Sequence, residues 1–523
     1  MRYTLYEKGT ILTMEGEKTA EAVLVEDGIV AAVGNERAFN PPAGTARVNL
    51  EGRVLLPAFL DAHSHFSAAA NALLQAPLEE CVNFEEIRQR IADFIRENQV
   101  APGEWVVAQG YDHNALAEKR HPTLGLLDAA APDNPLIVQH RSGHVGVVNS
   151  AAICRLSLRA DTPAIAGGRI GVENGQLTGY LEENAFLHYQ KQVPMATAET
   201  MLDAYRRAQE IYLSHGISTV QEGMFTKELL PLYQALLQSG LLKVDVVGYA
   251  DAAAPELLKA LEDYRGGYRR HFRLGGCKIF LDGSPQGRTA WMREPYAGEK
   301  DYRGYPTLTD GQVEGFLRFA AEEKLQLLAH CNGDAACAQL LAAAEGLRTA
   351  GIDLSPLRPV MIHGQLLGLD QLKSVKELGF LVSFFVAHVY HWGDIHIQNF
   401  GRERADHISP AASALAAGIP FTFHQDTPVI PPDMLETVWC AVSRRTKAGA
   451  VLKEKIGVYD ALRAVTAAAA YQYFEEGSKG TITPGKRADF AVLDRNPLTV
   501  PEEELREIRV VETILAGKSV WRC

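Results

Sequence analysis

The chain has 523 residues, 47% of them hydrophobic and 22% charged, and a net charge of −12. It is too long for one ordinary domain, and its acidic balance argues against nucleic acid as a partner. The first twenty residues lack the basic and apolar regions of a signal peptide, and no run of about 18 apolar residues marks a membrane span. Seven scattered cysteines (Cys81, Cys154, Cys277, Cys331, Cys337, Cys440, Cys523) form no Cys-x-x-Cys pair. They read as reduced thiols of a cytoplasmic protein.

Residues 3–56 read as strands at 3–14, 22–26, 29–33 and 47–50, with Glu26-Asp27-Gly28 as a hairpin turn. The far end returns to turn-plus-strand character in 480–494, 510–515 and 518–522. Neither end can bury its own apolar faces. The expected solution is one small β-sandwich domain built from 1–56 and 475–523, with a larger domain spanning 57–474 between them. Residues 66–200 alternate helices such as 84–98 with Gly/Pro-rich loops such as 160–175, which predicts a large insertion. From 201 onward helices and strands alternate, with strands expected at 218–221, 243–250, 274–282, 326–330, 359–363, 380–385 and 420–424. That alternation implies a parallel sheet.

The strand 54–60 is oily on both faces and leads into Asp61-Ala62-His63-Ser64-His65. Residues i and i+2 of an extended chain point the same way, so His63 and His65 can meet one ion. This strand brings the parallel set to eight, which predicts a (β/α)8 barrel of the TIM type, with the insertion after strand 1. The ionisable residues reinforce that reading. Lys278, His330, His363 and Asp426 each lie on a predicted strand or just past its carboxyl end, where barrel strands converge on one mouth.

These segments resemble the amidohydrolase superfamily and, within it, the YtcJ-like group of amidohydrolase 3 type. The resemblance is carried by PAFLDAHSHF, HRSGHVGVVNSAA, GYLEE, KIFLDGSPQGRTA, AHCNGDAA, MIHGQ, FHQDTPV and the terminal KGTITPGKRADFAVL, and so spans nearly the whole chain. It implies that His63 and His65 bind the more buried divalent metal, most simply zinc, and that His330 and His363 bind a second. It further implies that Lys278 bridges as a CO2-derived carbamate, a carboxylated lysine. Asp426 would bind metal and act as the catalytic general base. His424 and Gln425 depart from the smaller residues common before the aspartate, which narrows the pocket.

Candidate substrate contacts are His144, Tyr111, Asp112 and Glu182 in the insertion, Arg288 in the loop after Asp282, and His391 in the polar and aromatic segment 387–394. The activity implied is hydrolysis of an amide-type, non-peptide C–N bond in a small molecule, with metal-activated water as nucleophile. One alternative is a deaminase of a cyclic amidine, although His330 is followed by Cys331-Asn332-Gly333-Asp334 with no glutamate. Another is a metal-binding relative without catalysis. Neither the membrane nor nucleic acid is an expected partner, and homo-oligomer formation is left open.

Overall fold

Eight parallel strands frame the site: β1 (Phe59–Leu60), β2 (Ile217–Phe225), β3 (Asp245–Asp251), β4 (Phe272–Phe280), β5 (Gln326–Cys331), β6 (Val360–His363), β7 (Leu381–Phe384) and β8 (Phe421–Phe423). Each strand pairs with its neighbour in sequence order. The computed structural model describes residues 2–523 apart from 17, 18, 142–144, 166, 167 and 195. By its internal contacts the chain divides into two units, Met1–Ala68 with Arg206–Cys523, and Ala69–Tyr205.

The strands are oily because helices cover the parallel sheet. β6, β7 and β8 are buried at every residue. The intervening helices carry recognisable stop and start signals. Asp310–Glu323 opens with a capping box between Thr309 and Gln312, and Leu230–Ser239 closes on Gly240 in the left-handed region. Leu60 of β1, Val247 of β3, Leu328 of β5, Ile362 of β6 and Leu381 of β7 share one core with Ala469 and Tyr473. A flat sheet could not bring those strands together, so the sheet is curled. Among the described residues no ladder joins β1 to β8. The physical reason lies in the oily run before His63, which is divided between two sheets. Val54–Pro57 pairs antiparallel with Phe490–Leu493, and only Phe59–Leu60 is left for β2. Past the strand ends, the His65 N–H donates to the Thr427 carbonyl at 2.9 Å.

Two further sheets of the same unit are built from the chain ends, the first from amino-terminal strands alone and the second from both ends. One has the order Ile29–Gly34, Ala22–Glu26, Tyr3–Glu7, Ala46–Asn49. The other has the order Lys518–Arg522, Val510–Leu515, Phe490–Leu493, Val54–Pro57, Thr10–Leu12, Thr19–Ala20. Tyr6, Val25, Leu55, Phe490 and Ile514 are buried in their common core. The turn at Asp27-Gly28 joins paired Glu26 and Ile29 with both φ values positive, 47° and 85°. Such a turn matches the twist of the hairpin.

A buried ionic network sits at the amino-terminal ends of the parallel strands. Asp245, the first residue of β3, takes Lys479 and Arg487 at 2.7 Å each and His271 at 2.8 Å. Glu475 takes Lys479 at 2.6 Å and Arg273 at 2.9 Å. The terminal KGTITPGKRADF segment thereby becomes part of the floor of the sheet.

In the second unit six strands run in the order Gly168–Glu173, Gln176–Glu183, Val145–Val148, Leu136–His140, Val106–Tyr111, Ala76–Pro77. Helix Phe84–Glu97 begins at Asn83, whose side chain accepts the Glu86 N–H. The expected loop at 160–175 contains the strand Gly168–Glu173 instead. Asn174 and Gly175, with φ 51° and 77°, turn it into its antiparallel partner. Among the described residues no helix is long and apolar enough to cross a membrane.

Candidate metal centre

The six sequence-predicted ligand residues lie near or just past the carboxyl ends of strands of the curled sheet. Lys278 lies near the carboxyl end of β4, two residues before its last. His330 is on β5 and His363 ends β6. His63 and His65 stand in the turn after β1 rather than on the strand itself, and Asp426 follows β8.

The His63 ring is fixed from behind. The Gln221 side-chain amide nitrogen donates to the Ala62 carbonyl at 2.8 Å and the Tyr473 hydroxyl at 3.1 Å, which leaves Gln221 Oε1 facing His63 Nδ1 at 2.5 Å. An amide oxygen can only accept, so the His63 proton is assigned to Nδ1 and the lone pair to Nε2. That Nε2 lies 3.1 Å from Lys278 Nζ and 3.4 Å from Asp426 Oδ1. Gly223 makes room for the ring, since a Cβ there would stand 2.6 Å from His63 Cε1. His65 Nε2 approaches the same Asp426 oxygen at 3.3 Å.

The other half is a chain of imidazoles. His330 Nδ1 faces His363 Nε2 at 3.1 Å, and His363 Nδ1 faces His424 Nε2 at 3.1 Å. His424 Nδ1 lies 2.8 Å from the Ser383 hydroxyl, and the Asn332 amide nitrogen reaches His330 Nε2 at 3.0 Å. Burial pushes His330 and His424 down to about 3, and it holds His63 and His363 below the ordinary histidine range. That direction favours the neutral imidazole, the form in which a ring nitrogen can bind a metal ion.

Lys278 has no exposed surface, and burial pushes its ammonium down to about 7 against the pull of Asp426. Burial also acts to raise Asp426. The neighbouring rings of His65, His363 and His63 outweigh it, holding the carboxyl below its ordinary range. His363 and Asp426 have φ of 72° and 55°, in the left-handed region. That conformation costs ~1–3 kcal/mol for a residue with a side chain and is retained where function requires it.

Donor chemistry provides the test of whether a metal suits this site. The ligand atoms of His63, His65 and Asp426 lie within 4.8 Å of one another. Asp426 Oδ1 is buried and has no hydrogen-bond partner among the described residues. A buried carboxylate oxygen with no hydrogen bond among the described residues, ringed by imidazoles, is a poor packing arrangement and a good site for a divalent cation.

The described candidate substrate contacts are placed by their own elements. His391 Nε2 meets Glu436 Oε1 at 2.7 Å on helix His388–Phe400. The Arg288 guanidinium pairs with Glu299 at 2.9 Å and lies 5.2 Å over Tyr296. Tyr111, Asp112 and Glu182 belong to the second unit. There Tyr111 is buried, with its hydroxyl 2.9 Å from His121 Nδ1, Asp112 pairs with Arg141, and Glu182 is half-buried on its strand. His144 lies outside the described residues. Sequence reasoning overlooked Gln221, Ser383 and Gly223. The signal for Gln221 was a lone amide inside the oily run Ile-Ser-Thr-Val-Gln of β2.

The sequence model of the amidohydrolase family matches residues 46–521. The chain belongs to the amidohydrolase family. This amidohydrolase is 26% identical to YtcJ of Bacillus subtilis (strain 168) over 556 residues, covering 99% of each chain. It is 27% identical to the N-substituted formamide deformylase of Arthrobacter pascens over 545 residues, covering 99% of this chain and 98% of that one. Among solved structures it resembles an uncharacterized metal-dependent hydrolase from Pyrococcus furiosus. The TM-score is 0.78 at 25% identity, and the match covers 95% of this chain and 100% of the other. The curled parallel sheet is thus the α/β fold of the amidohydrolase family.

Proposed function

We propose that this amidohydrolase is a metal-dependent enzyme that cleaves an amide-type C–N bond of a small molecule, on a (β/α)8 barrel whose strand ends carry the site. The observation that carries the reading is the convergence of His63, His65, Lys278, His330, His363 and Asp426, with Asp426 Oδ1 buried among imidazoles and without a hydrogen bond from the described residues. The name of the formamide deformylase relative supports a C–N bond as the target.

In this reading His63 and His65 hold one Zn²⁺ ion through their ring nitrogens, and His330 and His363 hold a second. Gln221 keeps the His63 tautomer correct, as hydrogen-bonded partners of ligand histidines commonly do. Lys278 adds CO2 at Nζ and releases a proton, giving a carbamate with two oxygens where a lysine amine has a single nitrogen. A divalent ion bound here supplies Lewis acidity and lowers the pKa of water toward ~7. Asp426 takes the proton of the attacking water as the new C–O bond forms at the carbonyl carbon. It then delivers that proton to the nitrogen as the C–N bond breaks. The products are a carboxylic acid and an amine.

The test is to purify the chain without chelator, measure its zinc and assay a panel of N-substituted amides and cyclic amidines for product release. Zinc bound by the wild-type chain, with amine released from amides, supports the reading. Ammonia released from amidines alone would replace it with the deaminase reading, and a metal-free, inactive chain would refute both.

A further inference from the structure

The second unit carries a cluster of ligand-type side chains that the proposed reaction does not use. Strands Val106–Tyr111 and Leu136–His140 run parallel, with Tyr111 in register with His140. Asp112 and His113 therefore follow the end of one strand, beside His140 at the end of the other. His113 Nδ1 faces His140 Nε2 at 3.1 Å, and His140 Nε2 lies 3.7 Å from Asp112 Oδ1. The ligand atoms of all three residues lie within 4.8 Å of one another.

We propose that Asp112, His113 and His140 form a second, structural site for a Zn²⁺-class transition ion, built from none of the ligands on the curled sheet. Ligands ~2.1 Å from a tetrahedral ion stand about 3.4 Å apart, and the two separations here, 3.1 and 3.7 Å, bracket that spacing. One proton shared between the two imidazoles would account for the shorter contact alone. It would leave the nearby carboxylate outside the pair, whereas an ion takes all three ligands. Two imidazole nitrogens and one carboxylate oxygen suit zinc and its neighbours. Calcium and magnesium prefer shells of oxygen.

The surroundings hold these ligands in place. Arg141 pairs with the other Asp112 oxygen, Oδ2, at 3.1 Å, which fixes the carboxylate with Oδ1 toward His140. The His121 ring stacks on His113 with centroids 4.3 Å apart and is itself held by the Tyr111 hydroxyl at 2.9 Å. His140 is 8% exposed, so its ring has little freedom to turn away. Supporting partners of this kind orient metal ligands. A bound ion would tie the segment after Tyr111 to the neighbouring strand end. Water would fill the open fourth position.

The experiment uses the full chain, stripped with chelator and titrated with Zn²⁺ by calorimetry, with metal analysis after gel filtration. The His113→Ala/His140→Ala chain is expected to bind one zinc fewer than wild type. Its melting temperature in zinc should lose part of the rise that the ion gives the wild-type chain. Asp112→Asn preserves shape and should weaken the same equivalent by about tenfold or more. It also decides the matter if the double variant fails to fold. Combining these changes with His63→Ala/His65→Ala should lower the zinc count further, since the two centres use different ligands. Equal stoichiometry and affinity in wild type, the double variant and Asp112→Asn would leave only a hydrogen-bonded histidine pair and overturn the proposal.

Discussion

Gly223→Ala perturbs the candidate centre while leaving every proposed ligand in the chain. A Cβ at this position would stand 2.6 Å from His63 Cε1, 2.8 Å from the Ser64 carbonyl oxygen and 3.0 Å from His63 Nδ1. Ordinary carbon–carbon contact is ~3.5–4.0 Å, so the ring must retreat by about 1 Å. The backbone cannot easily give way, because the Gly223 N–H donates to that same Ser64 carbonyl at 2.8 Å. Ring movement would also stretch the 2.5 Å contact with Gln221 that sets the tautomer. Overpacking of this kind costs about 1–3 kcal/mol of stability. A misplacement of ~1 Å at a reacting centre can cost on the order of 10²-fold in rate. Thermal unfolding, zinc content and turnover of an amide that the wild-type chain hydrolyses would measure the three effects. Wild-type zinc content and turnover in Gly223→Ala would refute the claim that His63 is held by this packing.

Gln221→Leu removes the acceptor for His63 Nδ1–H and should lower zinc affinity by ~10–100-fold, measured by competition with a chelator. Unchanged affinity would mean that the tautomer is set elsewhere. Lys278→Ala should lose zinc and activity, with partial rescue by acetate or propionate. Full zinc occupancy in that variant without added carboxylate would count against the carbamate bridge. Asp245→Asn removes one of the two carboxylates paired with the buried Lys479, Glu475 being the other, and should lower stability at neutral pH by up to ~3–5 kcal/mol. Burial works to raise Asp245, but Lys479, His271 and Arg487 prevail and hold its carboxyl well below the ordinary range. Its stabilisation is therefore complete above the unfolded value of ~3.9 and drains as pH falls below it. Urea midpoints from pH 6 downward should fall less steeply in Asp245→Asn, and parallel curves would contradict the assignment.

The parallel strands were legible because their oily runs are broken by Gly, Pro and capping signals. Strands Gln326–Cys331 and Val360–His363 fall within one residue of the expected 326–330 and 359–363. The division of 54–60 between two sheets was not legible, since both sheets want the same buried, β-prone residues. The hairpin at Asn174-Gly175 carried a readable turn signal, obscured by the glycines and prolines before it. At the site, histidines at strand ends stand out by chemistry. Gln221 and Ser383 do not, because a neutral polar residue in a strand shows its purpose only when the ring it holds is in place. Burial of Lys278 was likewise invisible. A lysine in a strand is ordinarily an exposed one, and only the curled sheet encloses it.

The central claim is that Asp426 moves the proton in a histidine-held metal centre. Its most direct test is kcat of Asp426→Asn, measured on the same amide as wild type, together with the zinc content of the same preparation. The amide keeps the shape and one oxygen but loses the basicity. General acid–base catalysis supplies ~10²–10⁴-fold, so kcat should fall by at least ~10²-fold while the histidines retain most of the zinc. Near-wild-type turnover in a zinc-loaded Asp426→Asn chain would contradict the account.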